Sequence, residues 1–235
     1  MARKLSKISG VFKKKKFTEE QRIVISKHGS SPVDESYIRL KDNVLFRGEN
    51  GLKVVQVVSS ISGEGRSTMV GNLAVSLSFN NKKVVVLDLD FKKPKLAKIF
   101  GIEESLGIGD YLLGECDLEQ IINKTENGVD VIGKGLAIQN TSFALGSDKF
   151  KELIDRLKEK YDFILLDCAP ILTSSDYIHE VKVSDGVLLT VSTNFVKRSA
   201  VRDTVKLLNK ISANIIGCVM TMKAPNTSTH YEDEE

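Results

Sequence analysis

Five short apolar runs recur along the chain: Val54-Val55-Gln56-Val57-Val58, Val84-Val85-Val86-Leu87, Phe163-Ile164-Leu165-Leu166, Val187-Leu188-Leu189-Thr190-Val191 and Ile215-Ile216-Gly217-Cys218-Val219. They run on without polar alternation, as strands covered on both faces do. Helical stretches are expected between them, near 67–79, 93–100, 148–160 and 198–211. Upstream, Val33, Tyr37, Ile38, Leu40, Val44 and Leu45 recur at near-helical spacing. That predicts an amphipathic helix over about 34–47, with Asp34, just after Ser31-Pro32, as its cap. Strands alternating with helices imply a mainly parallel sheet with right-handed crossovers and helices on both faces, a three-layer α/β fold.

With 235 residues, 41% apolar and 28% charged, the chain suits one globular domain with a sizeable core. Its net charge of +3 matters less than where the charges fall. Arg3, Lys4, Lys7, Lys13 to Lys16, Arg22 and Lys27 crowd the start, and the chain ends on Glu232, Asp233, Glu234 and Glu235. The expected division is a basic, flexible segment over 1–31, a domain over 32–222 and an acidic tail over 223–235. Lys13–Lys16 followed by Phe17 suits contact with an anionic membrane surface, where each basic residue contributes about 1 kcal/mol. A solvated tail is the plainer alternative, and both stay open.

No apolar stretch follows Lys16 as a secretory signal would require, and none approaches the ~20 residues of a membrane span. A cytoplasmic protein is expected. Cys116, Cys168 and Cys218 lie far apart, and His28, His179 and His230 form no ligand pattern with them, so a Cys/His metal site is not expected.

The candidate chemistry begins after the first strand. Ser59-Ser60-Ile61-Ser62-Gly63-Glu64-Gly65-Arg66-Ser67-Thr68 leaves that strand and opens a helix. Gly63 and Gly65 let the backbone turn its N–H groups inward, and the helix adds its positive end. Such a nest suits the phosphates of a nucleotide, with Ser67 placed to ligate Mg²⁺. Arg66 stands where this kind of loop usually carries Lys, and Ser60 where it carries Gly or Ala. An ordinary glycine-rich turn is the alternative for the loop alone. Two acidic strand ends strengthen the nucleotide reading: Leu87-Asp88-Leu89-Asp90 and Leu165-Leu166-Asp167. Ligands of open parallel sheets sit at the carboxyl ends of the strands, and Mg²⁺ favours a few carboxylates with phosphate oxygens.

In this combination the chain resembles the bacterial tyrosine kinases of capsule and exopolysaccharide synthesis, of the cytoplasmic catalytic type. The resemblance covers about 32–222. It rests on Glu35 to Phe46 as an opening helix, Ser59 to Thr68 with Asn72-Leu73-Ala74 as the phosphate loop, and Val86 to Pro94 as a second, acidic motif. Gly107 to Gly114, then Tyr161 to Pro170 with Asp176, complete the set. Each piece is shared with the wider partitioning-ATPase group; the set and its order are specific.

The resemblance implies a P-loop NTPase fold and an autophosphorylating, ATP-dependent protein tyrosine kinase. It implies that Ser62, Gly63, Glu64, Gly65, Arg66, Ser67 and Thr68 hold ATP, and that Ser67, Asp88 and Asp167 arrange Mg²⁺ directly or through water. Asp90, with Arg66 and Asp88, would form the catalytic group, Asp90 orienting the attacking hydroxyl. It further implies a transmembrane polysaccharide co-polymerase as activator, protein tyrosine substrates, a homo-oligomer, and recruitment to the inner face of the membrane, with no nucleic acid.

Several positions depart from the family pattern. Lys92 replaces an Arg, and Asn140 to Leu145 lacks a Pro. The ring-assembly spacing Glu-x-x-Arg-x-x-Arg reads Glu35, Ile38, Lys41, with Arg39 one place off and so turned by about 100°. The tail holds one tyrosine, Tyr231, the candidate phosphoacceptor or else a residue without a role. Two further readings follow: a non-catalytic ATP-binding regulator, motivated by Arg66, and a partitioning-type ATPase. The second expects an early loop lysine that Ser60-Ile61-Ser62 lacks.

Overall fold

The computed structural model describes residues 23–222, apart from 104, 105 and 194. Lys13–Lys16, Phe17 and Tyr231 therefore lie outside the described residues. In chain order the elements are α1 (Pro32–Glu49), β1 (Val54–Ser59), α2 (Arg66–Ser78), β2 (Val84–Asp88), α3 (Leu96–Phe100), α4 (Ile108–Leu113) and α5 (Leu118–Ile121). There follow β3 (Asn123–Lys124), β4 (Val129–Ile132), α6 (Thr141–Leu145), α7 (Asp148–Lys160) and β5 (Phe163–Asp167). After a 3-10 turn, α8 (Tyr177–Val183), β6 (Gly186–Ser192), α9 (Arg198–Lys210) and β7 (Ile215–Thr221) complete the domain.

The strands form one sheet in the order β3-β4-β2-β5-β1-β6-β7. Every pairing is parallel except β3 with β4. Successive side chains of a strand point to opposite faces, so a continuous apolar strand feeds two cores. Val54 and Val58 of β1 pack with α4, α5, α7, α8 and α9. Val55 and Val57 pack with α1, α2 and α3. The expected three layers follow directly. Among the described residues, no helix is long and apolar enough to cross a membrane.

The helix over 34–47 extends to Pro32–Glu49, and its N-cap is Ser31, not Asp34. Asp34 sits three residues in, where its carboxylate accepts from the Ser31 N–H and hydroxyl, completing a capping box. The helix expected over 93–100 begins only at Leu96. Pro94 disfavours helical backbone before it. Lys95, the N-cap, makes no side-chain cap bond. Asp88 of β2 fills that role from a distance, its Oδ2 accepting from the Lys95 and Leu96 N–H groups at 2.8 and 2.9 Å. β7 is covered less than expected: it is an edge strand on which Cys218 and Met220 are exposed.

α7 buries Phe150, Leu153, Ile154 and Leu157 along one face. Ser147 caps it, its Oγ accepting from the Phe150 N–H at 3.3 Å and donating to the Ala144 carbonyl at 2.6 Å. Ser147→Ala is expected to lower the unfolding free energy by about 1 kcal/mol, read by urea denaturation. Ser147→Asp should retain most of the stability.

Candidate functional site

β1 lies mid-sheet, and the loop Ser60–Gly65 leaves its carboxyl end to reach α2. Gly63 and Gly65 have φ of 93° and 80°, left-handed backbone that glycine adopts at no steric cost. Gly65 is itself the N-cap of α2 and carries no side chain to close the helix end. The first N–H groups of α2 have no partner within the helix and form the base of a cradle.

Glu64 braces this loop from inside. Its buried carboxylate accepts from the Ile61 N–H at 2.8 Å and from the Ser192 N–H, at the end of β6, at 3.0 Å. Thr221, at the end of β7, donates its hydroxyl to the Glu64 carbonyl at 2.6 Å. Two strand ends and the loop's own Ile61 amide thus fix the loop's shape. Glu64, expected among the nucleotide-holding residues, has its acid turned into the protein, and only its backbone N–H suits a phosphate.

A cavity of about 460 Å³ opens over the loop. Ser62 through Thr68 and Asp90 line it, as sequence reasoning expected, and Lys95, Lys98 and Met222 join them without a motif to announce them. Asp88 and Asp167 lie behind, paired in register at the ends of the adjacent strands β2 and β5. All the expected site residues among the described ones therefore come to one end of the sheet.

Their internal arrangement differs from the expectation. Arg66 is folded inward, its side chain only 7% exposed. Its Nε donates to Asp167 Oδ1 at 2.6 Å, one terminal nitrogen to Asp90 Oδ2 at 3.0 Å and the other to Ser59 Oγ at 3.1 Å. Burial works against its charge, but Asp167 and Asp90 outweigh burial and push its pKa up further. Asp90 also accepts the Lys93 N–H on Oδ1 at 3.0 Å, so both of its oxygens are engaged. Asp88 takes the Asp90 N–H on Oδ1 and two N–H groups on Oδ2. Burial and the facing Asp167 hold the Asp88 carboxyl well above the usual range, against the pull of those N–H groups.

The arrangement does not fit the expected Mg²⁺ set of Ser67, Asp88 and Asp167. Asp88 is enclosed by backbone donors, and Asp167 Oδ1 is held by Arg66. Asp167 Oδ2 is buried without a partner, but a divalent ion there would stand beside the guanidinium on the same carboxylate. The sequence signal was the single letter at position 66: Arg has the length and the fork to bridge two carboxylates.

A family model described as an AAA domain matches residues 52–217. The tyrosine-protein kinase YwqD of Bacillus subtilis is 28% identical over 214 residues, 90% of each chain. The crystal structure of the chimerical protein CapA2B2 superposes with a TM-score of 0.81 at 26% identity, covering 85% of this chain and 88% of that one. The septum site-determining protein MinD of Pyrococcus horikoshii, complexed with Mg-ADP, superposes at 0.61 and 26% identity, covering 72% and 69%.

Proposed function

The chain belongs to the bacterial tyrosine-kinase family of capsular and exopolysaccharide synthesis, built on an AAA domain, and from that premise we propose that it is an ATP-dependent protein tyrosine kinase acting in such a system. One observation carries the reading: a braced, left-handed glycine loop shares one cavity with Asp90, and Arg66 joins it to Asp167. The loop N–H groups with Ser67 and Thr68 hold the phosphates of ATP. Asp90 orients the attacking tyrosine hydroxyl. Positioning and charge neutralisation supply most of what phosphoryl transfer needs. A transmembrane co-polymerase is the expected activator, holding the protein at the inner face of the membrane, and homo-oligomerisation would bring one subunit's tyrosine to another's site.

The test is a phosphotyrosine immunoblot with mass mapping on the full chain, given ATP and MgCl2, with and without the activator, for wild type and Tyr231→Phe. Phosphotyrosine on the chain or on an added protein substrate is expected. Silence in the presence of the activator would sink the reading.

A second reading, a nucleotide-binding regulator without transfer, is favoured by the engagement of both Asp90 oxygens. It predicts nucleotide affinity without phosphotyrosine, and transfer that appears in Arg66→Lys. A wild type that transfers as fast as Arg66→Lys excludes it.

A further inference from the structure

The acidic end of the sheet already holds a cation, and that cation belongs to the chain. Arg66, Asp90 and Asp167 have side chains 7%, 6% and 0% exposed, so the group is largely withdrawn from bulk water and meets it at the cavity. The guanidinium uses a different nitrogen for each of three partners: Asp167, Asp90 and Ser59. It has five N–H donors, so each terminal nitrogen keeps one after these bonds. Those donors suit phosphate oxygens, which guanidinium recognises through parallel charge-assisted bonds. Asp90 and Arg66 both line the cavity over the loop, so the charge cluster forms its floor.

We propose that Arg66 is the resident counter-cation of this site, and that the cradle takes a nucleoside di- or triphosphate as the metal-free anion. The proposal rests on the nucleotide-cradle reading given above and deepens it. One guanidinium bridges the two facing carboxylates and offsets one of their charges, Lys95 and Lys98 bring further positive charge to the same cavity, and the loop N–H groups are left to take the phosphates. A divalent ion would have to displace Arg66 from Asp167 or sit against it. A lysine at 66 could not reproduce the arrangement. Its ammonium is a compact point charge and cannot bridge two carboxylates and a hydroxyl in one plane. Arg66→Lys therefore leaves carboxylate oxygen open, and metal dependence should appear with it.

The experiment is a calorimetric titration of ADP into the full chain, once in excess MgCl2 and once in EDTA, for wild type and Arg66→Lys. Wild type is expected to bind ADP more tightly in EDTA than in excess MgCl2, because Mg²⁺ in solution sequesters the free anion. Arg66→Lys should bind at least tenfold more tightly with Mg²⁺, a difference of about 1.4 kcal/mol. Wild-type affinity that is the same or lower in EDTA overturns the proposal and leaves the nucleotide reading standing. If neither protein binds ADP or ATP in either buffer, the nucleotide reading fails and the proposal with it. Should Arg66→Lys not fold, wild type decides alone. Mn²⁺ added to its ADP complex is expected to stay free by electron paramagnetic resonance, and one tightly bound Mn²⁺ per nucleotide overturns the proposal.

Discussion

Arg66→Met is expected to lower the unfolding free energy by about 3–5 kcal/mol at neutral pH, the usual cost of removing one partner from a buried ion pair. Asp167, fully buried, loses its one charged donor, and Asp90 loses one of its two hydrogen bonds. Methionine fills the stem's volume, so the loss reports charge and hydrogen bonding more than packing. Asp90→Asn and Asp167→Asn, added to Arg66→Met, should recover most of the loss, because the carboxylates are costly only while charged and unpaired. Urea unfolding of wild type, the single variant and the triple variant makes the comparison. A loss below about 1 kcal/mol in Arg66→Met would mean that the guanidinium is not locked as described.

What the sequence disclosed depended on how each feature is encoded. The five apolar strands were legible because apolar continuity survives any small shift of boundary; β1, β2 and β5 are buried throughout, whereas β7 lies at the sheet edge. β3 and β4 were not, since two and four residues, broken by Asp130, carry too little pattern to stand out. α5, α6 and α8 are at most two turns long and make no period. α4 falls within Gly107 to Gly114, a stretch that stood out only through the family resemblance. The helix stays where it is because the Gly107 amide and the Leu136 amide both donate to Asp110.

The membership of the site was legible as well, since strand ends and a glycine loop must converge in a parallel sheet. Its wiring was not. Asp88 looks like a metal ligand in sequence and serves in space as a remote cap for α3. Glu64 looks like a loop residue facing a ligand and serves as an internal brace. Both depend on which way a carboxylate turns, a choice made by backbone donors that the folded loops bring to it, and for Glu64 also by Ser192 at the far end of another strand. Arg66 alone announced itself by breaking the expected pattern, and the structure gives that departure a physical consequence.

A second buried acid should make stability depend on pH. Glu180 of α8 is fully buried against β1, where its Oε2 accepts from Gln56 Nε2 at 2.8 Å. Glu180 Oε1 and Gln56 Oε1 have no partner. Burial pushes the Glu180 pKa up; the neighbouring Cys168 thiol, the Gln56 bond and the charge of Arg66 oppose it, and Asp176 adds to it, leaving about 7 against an ordinary 4.5. The folded state then binds the proton more tightly than the unfolded state. Its stabilising effect is complete below about 4.5, falls as pH rises, and is lost through about 7. That interval corresponds to about 3 kcal/mol. Glu180→Gln keeps an acceptor for the Gln56 amide and supplies an N–H₂ donor without ever charging. The variant should therefore match wild type near pH 4.5 and exceed its stability by up to about 3 kcal/mol at pH 8. Asp88, raised for a similar reason, steepens both curves alike and cancels in their difference. Urea denaturation at four pH values between 5 and 8 measures that difference. Parallel curves would show that Glu180 charges as easily in the folded protein as in the unfolded chain.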